Sequence, residues 1–236
     1  MSKKEAPKKF KPTFANGGFW EYYKDLERQF ENFLDYVPYF EDNENTCSFR
    51  LANLLLAIGI HIDSGFKELA QDSEFSKKYP EIVKKISKGR ARITDYYDLA
   101  AELQLSLKKV TFKRLPELEE IAPFQQYEKV GKKEKTPDWW KAYNGVKQNV
   151  RKNLSKATLK NTRDALAAAF LLNVMPDPAV LMLAKFGIVR ADYLGKSVGV
   201  AAIEELGEEP VLAVLENKRK WPLFVETSLF KYSYDQ

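Results

Sequence analysis

Residues 139–151 read Trp139-Trp140-Lys141-Ala142-Tyr143-Asn144-Gly145-Val146-Lys147-Gln148-Asn149-Val150-Arg151. Pro137 and Asp138 precede the stretch, and the spacing predicts one helix from Asp138 to about Asn153. On a helix wheel Asn144, Gln148 and Arg151 share one face, while Trp140, Tyr143, Lys147 and Leu154 share the adjoining face. Amides, a phenol and cations grouped in this way suit phosphate and ribose oxygens, with aromatic area for stacking. The same residue types also suit a polar network that fixes helix packing around two core tryptophans. Both readings stay open at the level of residue types.

Working outward, the neighbouring segments are predominantly helical. Phe19, Tyr22, Tyr23, Leu26, Phe30, Phe33, Leu34 and Val37 recur at helical spacing, and Pro38 ends that run. Thr46 or Ser48 is placed to cap a second helix that continues to about Ala70. Its stripe is Leu51, Leu54, Leu55, Ile58, Ile62, Phe66 and Leu69, with Gly59, Asp63 and Lys67 beside it at i, i+4 positions. A carboxylate at the edge of so apolar a helix needs a partner, because burying it alone is costly. Shorter helices are expected after Pro80, from Asp95 to Leu103, and from Pro178 to Phe186. Leu159, Ala165, Leu166, Ala169, Phe170, Leu171 and Leu172 mark a largely buried helix ending near Asn173.

Extended signals are fewer. Leu103 to Leu107 and Val110 to Phe112 alternate, and Val211–Leu215, Leu223–Thr227 and Leu229–Tyr234 carry strand formers. Pro116 to Pro137 reads as a long surface loop. The fold class is therefore mainly α, a helical bundle with a small C-terminal antiparallel β element. Residues 1–16 are expected as a flexible basic arm, 17–190 as the helical domain, and 191–236 as an α/β extension packed on the bundle.

Composition removes several chemistries. In 236 residues there is one cysteine, Cys47, and one histidine, His61. That excludes an intramolecular disulfide and leaves little for multi-thiolate or histidine-rich metal sites, so no metal and no cofactor is expected. No uninterrupted apolar run reaches the ~18 residues that would span a bilayer, and a cytoplasmic protein without membrane partners is the expectation. The net charge is +5 and the pI near 9.0, a mild lean toward anionic partners. Its distribution is more telling: lysines crowd residues 3–11, and a second concentration runs from Lys129 to Arg163. Adjacent carboxylates such as Glu119-Glu120 and Glu204-Glu205 read as solvated faces. Gly195, Lys196, Ser197 and Gly199 stand in the wrong order for a phosphate loop.

A set of motifs in order resembles the HEPN-like helical proteins of prokaryotes, in particular a branch with a Tyr-Asn-x-x-Lys-His core. The matching residues are Ser48-Phe49-Arg50-Leu51-Ala52, Ile62-Asp63-Ser64, Phe66-Lys67, Ile121-Ala122-Pro123-Phe124, Trp139-Trp140-Lys141, Tyr143-Asn144, Lys147, Thr158-Leu159 and Asn161. The resemblance covers roughly Phe19 to Asn173. The resemblance implies a helical bundle, a homodimer, and RNA or nucleotide binding in a toxin–antitoxin or phage-defence setting, with a cognate antitoxin or defence partner. It also implies a ligand site of Asp63, Lys67, Trp140, Tyr143, Asn144, Lys147, Gln148 and Arg151. Many relatives are metal-independent endoribonucleases that pair an Arg with a nearby His. Here Gln148 stands where the branch has His, and an amide cannot move protons near neutral pH. Catalysis would have to fall to Arg151 with His61 or Tyr143. A third reading is an interaction protein acting through a helical dimer.

Overall fold

In the computed structural model, residues 13–114, 119–130, 133–193, 196–200 and 222–234 are described. The helices among them are α1 (Gly18–Leu34), α2 (Phe49–Gln71), α3 (Ser73–Lys78), α4 (Pro80–Ser87), α5 (Tyr97–Glu102), α6 (Asp138–Gln148), α7 (Val150–Asn153), α8 (Leu159–Val174) and α9 (Asp177–Lys185). The strands are β1 (Val110–Phe112), β2 (Glu119–Ile121), β3 (Glu128–Val130), β4 (Lys133–Lys135), β5 (Arg190–Tyr193), β6 (Lys196–Gly199), β7 (Leu223–Glu226) and β8 (Phe230–Ser233). The protein is mainly α with a small antiparallel β element.

The core forms where α1, α2 and α8 meet. Tyr23, Leu26 and Phe30 of α1, Leu51, Leu55, Ile58, Ile62 and Phe66 of α2, and Leu159, Leu166 and Phe170 of α8 are all fully buried. Their heptad-like spacing is what directs each helix inward, since residues three and four apart share a face. Ser48 begins α2 by accepting the Leu51 amide at 3.1 Å, and Thr158 begins α8 by accepting the Asn161 amide at 3.1 Å. By length and composition α2 is apolar enough to cross a membrane. In this fold its apolar stripe is covered by α1, α6 and α8.

Six strands make one antiparallel sheet in the order β2-β1-β8-β7-β5-β6. The register pairs Thr111 with Lys231 and Phe112 with Phe230. Phe230 then stacks on Phe170 of α8 with ring centroids 5.7 Å apart, which fastens the sheet to the bundle. The sheet thus crosses the division expected at residue 191, for β7 and β8 lie against β1 from the middle of the chain, and β5 begins at Arg190. Glu27 of α1 adds a polar tie, accepting from the Thr227 hydroxyl and the Leu229 amide while itself buried.

Three other expectations change. Residues 119–130 and 133–137 are not a loose surface loop: β2 lies there, β3 pairs antiparallel with β4, and Ile121, Phe124 and Tyr127 are buried. The Tyr127 hydroxyl donates to the Ile93 carbonyl, and the Trp139 indole donates to the Pro123 carbonyl at 2.7 Å. Aromatic residues outcompete three prolines here because they have a core to enter. The expected arm ends earlier than residue 16, because Phe14 is buried against Phe19 at 4.5 Å and Asn16 accepts the amides of Thr13 and Gly18. Residues 103–107 form a short 3-10 turn over Leu105–Leu107 instead of extended chain. The strand expected at Val211–Leu215 lies outside the described residues.

Candidate functional site

The helix expected from Asp138 to Asn153 is two helices with a corner at Asn149. That residue adopts extended dihedrals (φ −160°, ψ 96°), and its side chain caps α7 by accepting the Lys152 amide at 3.0 Å. The carbonyl ends left by α6 need donors. Asn153 supplies them, its amide donating to the Gly145 carbonyl at 2.9 Å and to the Asn149 carbonyl at 3.0 Å. Gly145 has no side chain, so Lys156 and Asn153 pack against the helix there. A β-carbon at Gly145 would lie 3.1 Å from Lys156 Cδ. The consequence for the site is direct. Arg151 sits beyond the corner on α7, so the shared face of Asn144, Gln148 and Arg151 read from an unbroken helix does not exist.

The predicted ligand residues divide into three environments. Trp140 and Tyr143 are core: Tyr143 packs on Trp140 at 4.8 Å, and its ring lies against Gly59 of α2. The Trp140 indole N–H is buried without a hydrogen-bond partner. Asp63 and Lys67 pair with each other at 2.5 Å along α2. Among the described residues no hydrogen bond joins them to Asn144, Lys147 or Arg151. Lys147, Gln148 and Arg151 are exposed and Asn144 is half-buried. The Lys147 ammonium rests 5.3 Å from the centre of the Tyr143 ring, a cation–π contact at the surface.

What remains is an electrostatic feature. From Trp139 to Arg163 the chain contains no acidic residue. Lys141 pairs with Asp138 and Lys160 with Glu44. Lys147, Arg151, Lys152 and Lys156 are exposed and have no carboxylate partner among the described residues. These four cations surround the Asn149 corner.

Arg163 is the exception within this run, and the residue that sequence reasoning misplaced. It was counted with the basic segment, yet its side chain is buried on α8. Its guanidinium bonds Asp164 at 2.9 Å and Glu119 of β2 at 2.6 Å, and lies 3.7 Å from Glu44. It also stacks 4.7 Å from the centre of Tyr39. The signal was present: Leu159, Arg163, Leu166 and Phe170 stand at i, i+4, i+7 and i+11 on the buried stripe. The Tyr39 hydroxyl donates to Glu44 at 2.5 Å. Burial opposes the charge on Glu44, and the Tyr39 hydroxyl with Lys160 and Arg163 overcomes it, holding that carboxyl below its usual range.

His61 cannot serve the cationic corner. It lies two residues from Gly59, about 200° around α2, and faces α1 and α8 instead. Asn173 donates to the Ala169 carbonyl at 2.8 Å, which fixes its amide nitrogen on that side. The same nitrogen lies 2.8 Å from His61 Nε2, so Nε2 accepts and Nδ1 carries the proton. Burial pushes the imidazole pKa down to about 4. Native His61 is therefore neutral at pH 6.5, whereas an unfolded histidine is half protonated there. As pH falls, the unfolded state takes up the proton first and stability is lost. Between pH 6.5 and 4.5 this one group is expected to remove roughly 2 kcal/mol. Glu27 works in the opposite sense, because burial raises its carboxyl and its protonation favours the native state. Urea melts at the two pH values check the expectation: the loss in wild type should exceed that in His61→Gln by about 2 kcal/mol, since other groups cancel in the difference.

Among the described residues no group of three or more His, Cys, Asp or Glu is arranged to hold a metal ion. Cys47 is exposed and unpaired by any disulfide. Comparisons of the chain with family models, with curated proteins and with solved structures find no match.

Proposed function

We propose that this chain binds RNA through the corner between α6 and α7. The observation that carries the reading is the acid-free segment from Trp139 to Arg163, with Lys147, Arg151, Lys152 and Lys156 exposed around Asn149. Cations without carboxylate partners are free to take the place of counterions condensed on nucleic-acid phosphates, and the release of those counterions on docking drives binding entropically. Asn144, Gln148 and Asn149 stand among these cations and supply neutral donors and acceptors for ribose and phosphate oxygens. A HEPN-like homodimer in a prokaryotic defence or toxin–antitoxin setting, with its antitoxin or defence partner, is proposed on the sequence resemblance alone. Catalysis is left out because the imidazole is bonded to Asn173 inside the bundle and Gln148 cannot replace it. Tyr143 is left out too, being packed on Gly59.

Binding of a labelled single-stranded oligonucleotide, followed by fluorescence anisotropy over a salt series, tests the proposal. The double variant Lys147→Gln, Arg151→Gln is expected to bind at least about tenfold more weakly. Its plot of log affinity against log salt should be shallower by about 1.4, two single-strand phosphate contacts at ~0.7 each. Both side chains are exposed, so the fold should persist. No wild-type binding at low salt, or an unchanged slope in the variant, would reject the reading. Incubation of bulk RNA with chelator is expected to leave it intact.

A further inference from the structure

The start of α2 is fastened to the start of α8 by a short backbone crossing. Cys47 forms an antiparallel bridge with Thr158. Beside it the Leu159 amide donates to the Thr46 carbonyl at 2.8 Å, and the Lys160 amide donates to the Glu44 carbonyl at 3.0 Å. From an antiparallel bridge the two chains run in opposite directions, so Ser48-Phe49 leaves it on the same side as Ala157-Lys156. Consecutive Cα atoms are about 3.8 Å apart, which holds Phe49 and Lys156 each within roughly 8 Å of the bridge.

This end of the bundle exposes an aromatic ring among cations. Phe49, the first residue of α2, is 59% exposed. Arg50 beside it is exposed and has no carboxylate partner among the described residues. Glu44 belongs to the same crossing, but its carboxylate is taken by the Tyr39 hydroxyl and Lys160. Lys156 packs in turn against Gly145 of α6, which joins Phe49 and Arg50 to the cationic corner at Asn149. A flat apolar face bordered by cations thus adjoins the surface on which phosphates are proposed to dock. Phe186 gives the contrast: it is 73% exposed as well, but it closes α9, past the opposite end of α8.

We propose that the corner takes RNA as a single strand, with Phe49 as the platform on which one unpaired base stacks and Arg50 holding a neighbouring phosphate. This rests on the RNA reading above and narrows it. Cations alone do not choose between strands, because the phosphates of a duplex and of a single strand are both anionic. A duplex keeps its base faces stacked inside, whereas an unpaired base can lay its face on a protein ring. Phe49 therefore gains from single strand only. Every base has such a face, so the contact is tolerant of base identity. The guanidinium of Arg50 adds a planar fork that matches phosphate oxygens.

The test titrates the full chain at low salt with a labelled single-stranded RNA oligonucleotide, and with the same oligonucleotide annealed to its complement. Wild type is expected to bind the single strand more tightly. Phe49→Ala should weaken single-strand binding by about 5- to 100-fold and change duplex binding by less than about twofold. Phe49→Tyr keeps the ring and should stay near wild type, while Phe49→Leu keeps apolar bulk without the ring and should bind as weakly as the alanine variant. Phe186→Ala should change neither probe. Both phenylalanines are largely exposed, so these variants are expected to fold, and urea melts check that they do. Single-strand binding that survives Phe49→Ala, Phe49→Leu as strong as Phe49→Tyr, or a wild type that prefers duplex would overturn the stacking proposal and leave the RNA reading standing. Wild type that binds neither probe would reject both.

Discussion

Gly59→Ala is expected to destabilise the protein by about 3 kcal/mol, at the upper end of overpacking effects. A β-carbon built at Gly59 would stand 2.3 to 2.6 Å from three ring atoms of Tyr143. Neither side has room to yield. Tyr143 is buried and held by Trp140, which packs in turn on Trp139 at 5.6 Å, and Trp139 is tied to the Pro123 carbonyl. Relief would require α6 to move off α2 as a body. Alanine is otherwise the better helix former, so a propensity argument predicts the opposite sign, and the two are easily told apart by urea denaturation. Tyr143→Ala alone should cost a similar amount through the void it leaves. The double variant should be less destabilised than the sum of the singles, because the clash disappears with the ring. Additive losses would show that the helices are not coupled through this contact.

Arg163→Ala should cost about 3–5 kcal/mol, the usual consequence of removing one member of a buried charge cluster. The loss has two sources. Glu119 and Asp164 would keep their charges with their main counterion gone, and Glu44 would keep only Lys160 and the Tyr39 hydroxyl. The planar stack on Tyr39 would also be lost. Arg163→Lys separates the two, since it restores charge without the fork or the stack. It should recover only part of the stability. A loss under about 1 kcal/mol for Arg163→Ala would mean that the carboxylates are satisfied by water, as at an ordinary surface pair.

Helical periodicity made most of this architecture legible. The stripes of α1, α2 and α8 were readable because apolar residues at three- and four-residue spacing have one physical outcome. Ser48 stood where capping needs a hydroxyl. The sheet was readable only in part. Strand formers at 223–234 signalled extended chain, but nothing local says that β8 pairs with Val110–Phe112. Partner choice is a long-range matter of register and burial. The corner at Asn149 was missed for a related reason: asparagine is tolerable within a helix, and its role here depends on Asn153 reaching back to Gly145. Of the site residues, Trp140, Tyr143, Asp63 and Lys67 were found on α6 and α2 as expected, but they do not converge. Tyr143 turned inward because Gly59 offered it a slot, and Asp63 was answered by its own helix. Lys147 and Arg151 remain the surface cations that their charge suggested.

The pairing of Thr111 with Lys231 has a bearing on how the protein is made. At typical elongation rates of ~5–20 residues per second, β1 leaves the ribosome roughly ten seconds before the strand that covers it. During that interval its outer row of amides and carbonyls is an open template for any passing extended chain. The bundle of α1, α2 and α8 is complete well before then and offers Phe170 as a landing place for Phe230. Nascent chains stalled between Val174 and Leu223 would carry finished helices and an unsealed seam, and these are the species a cell's chaperones would meet.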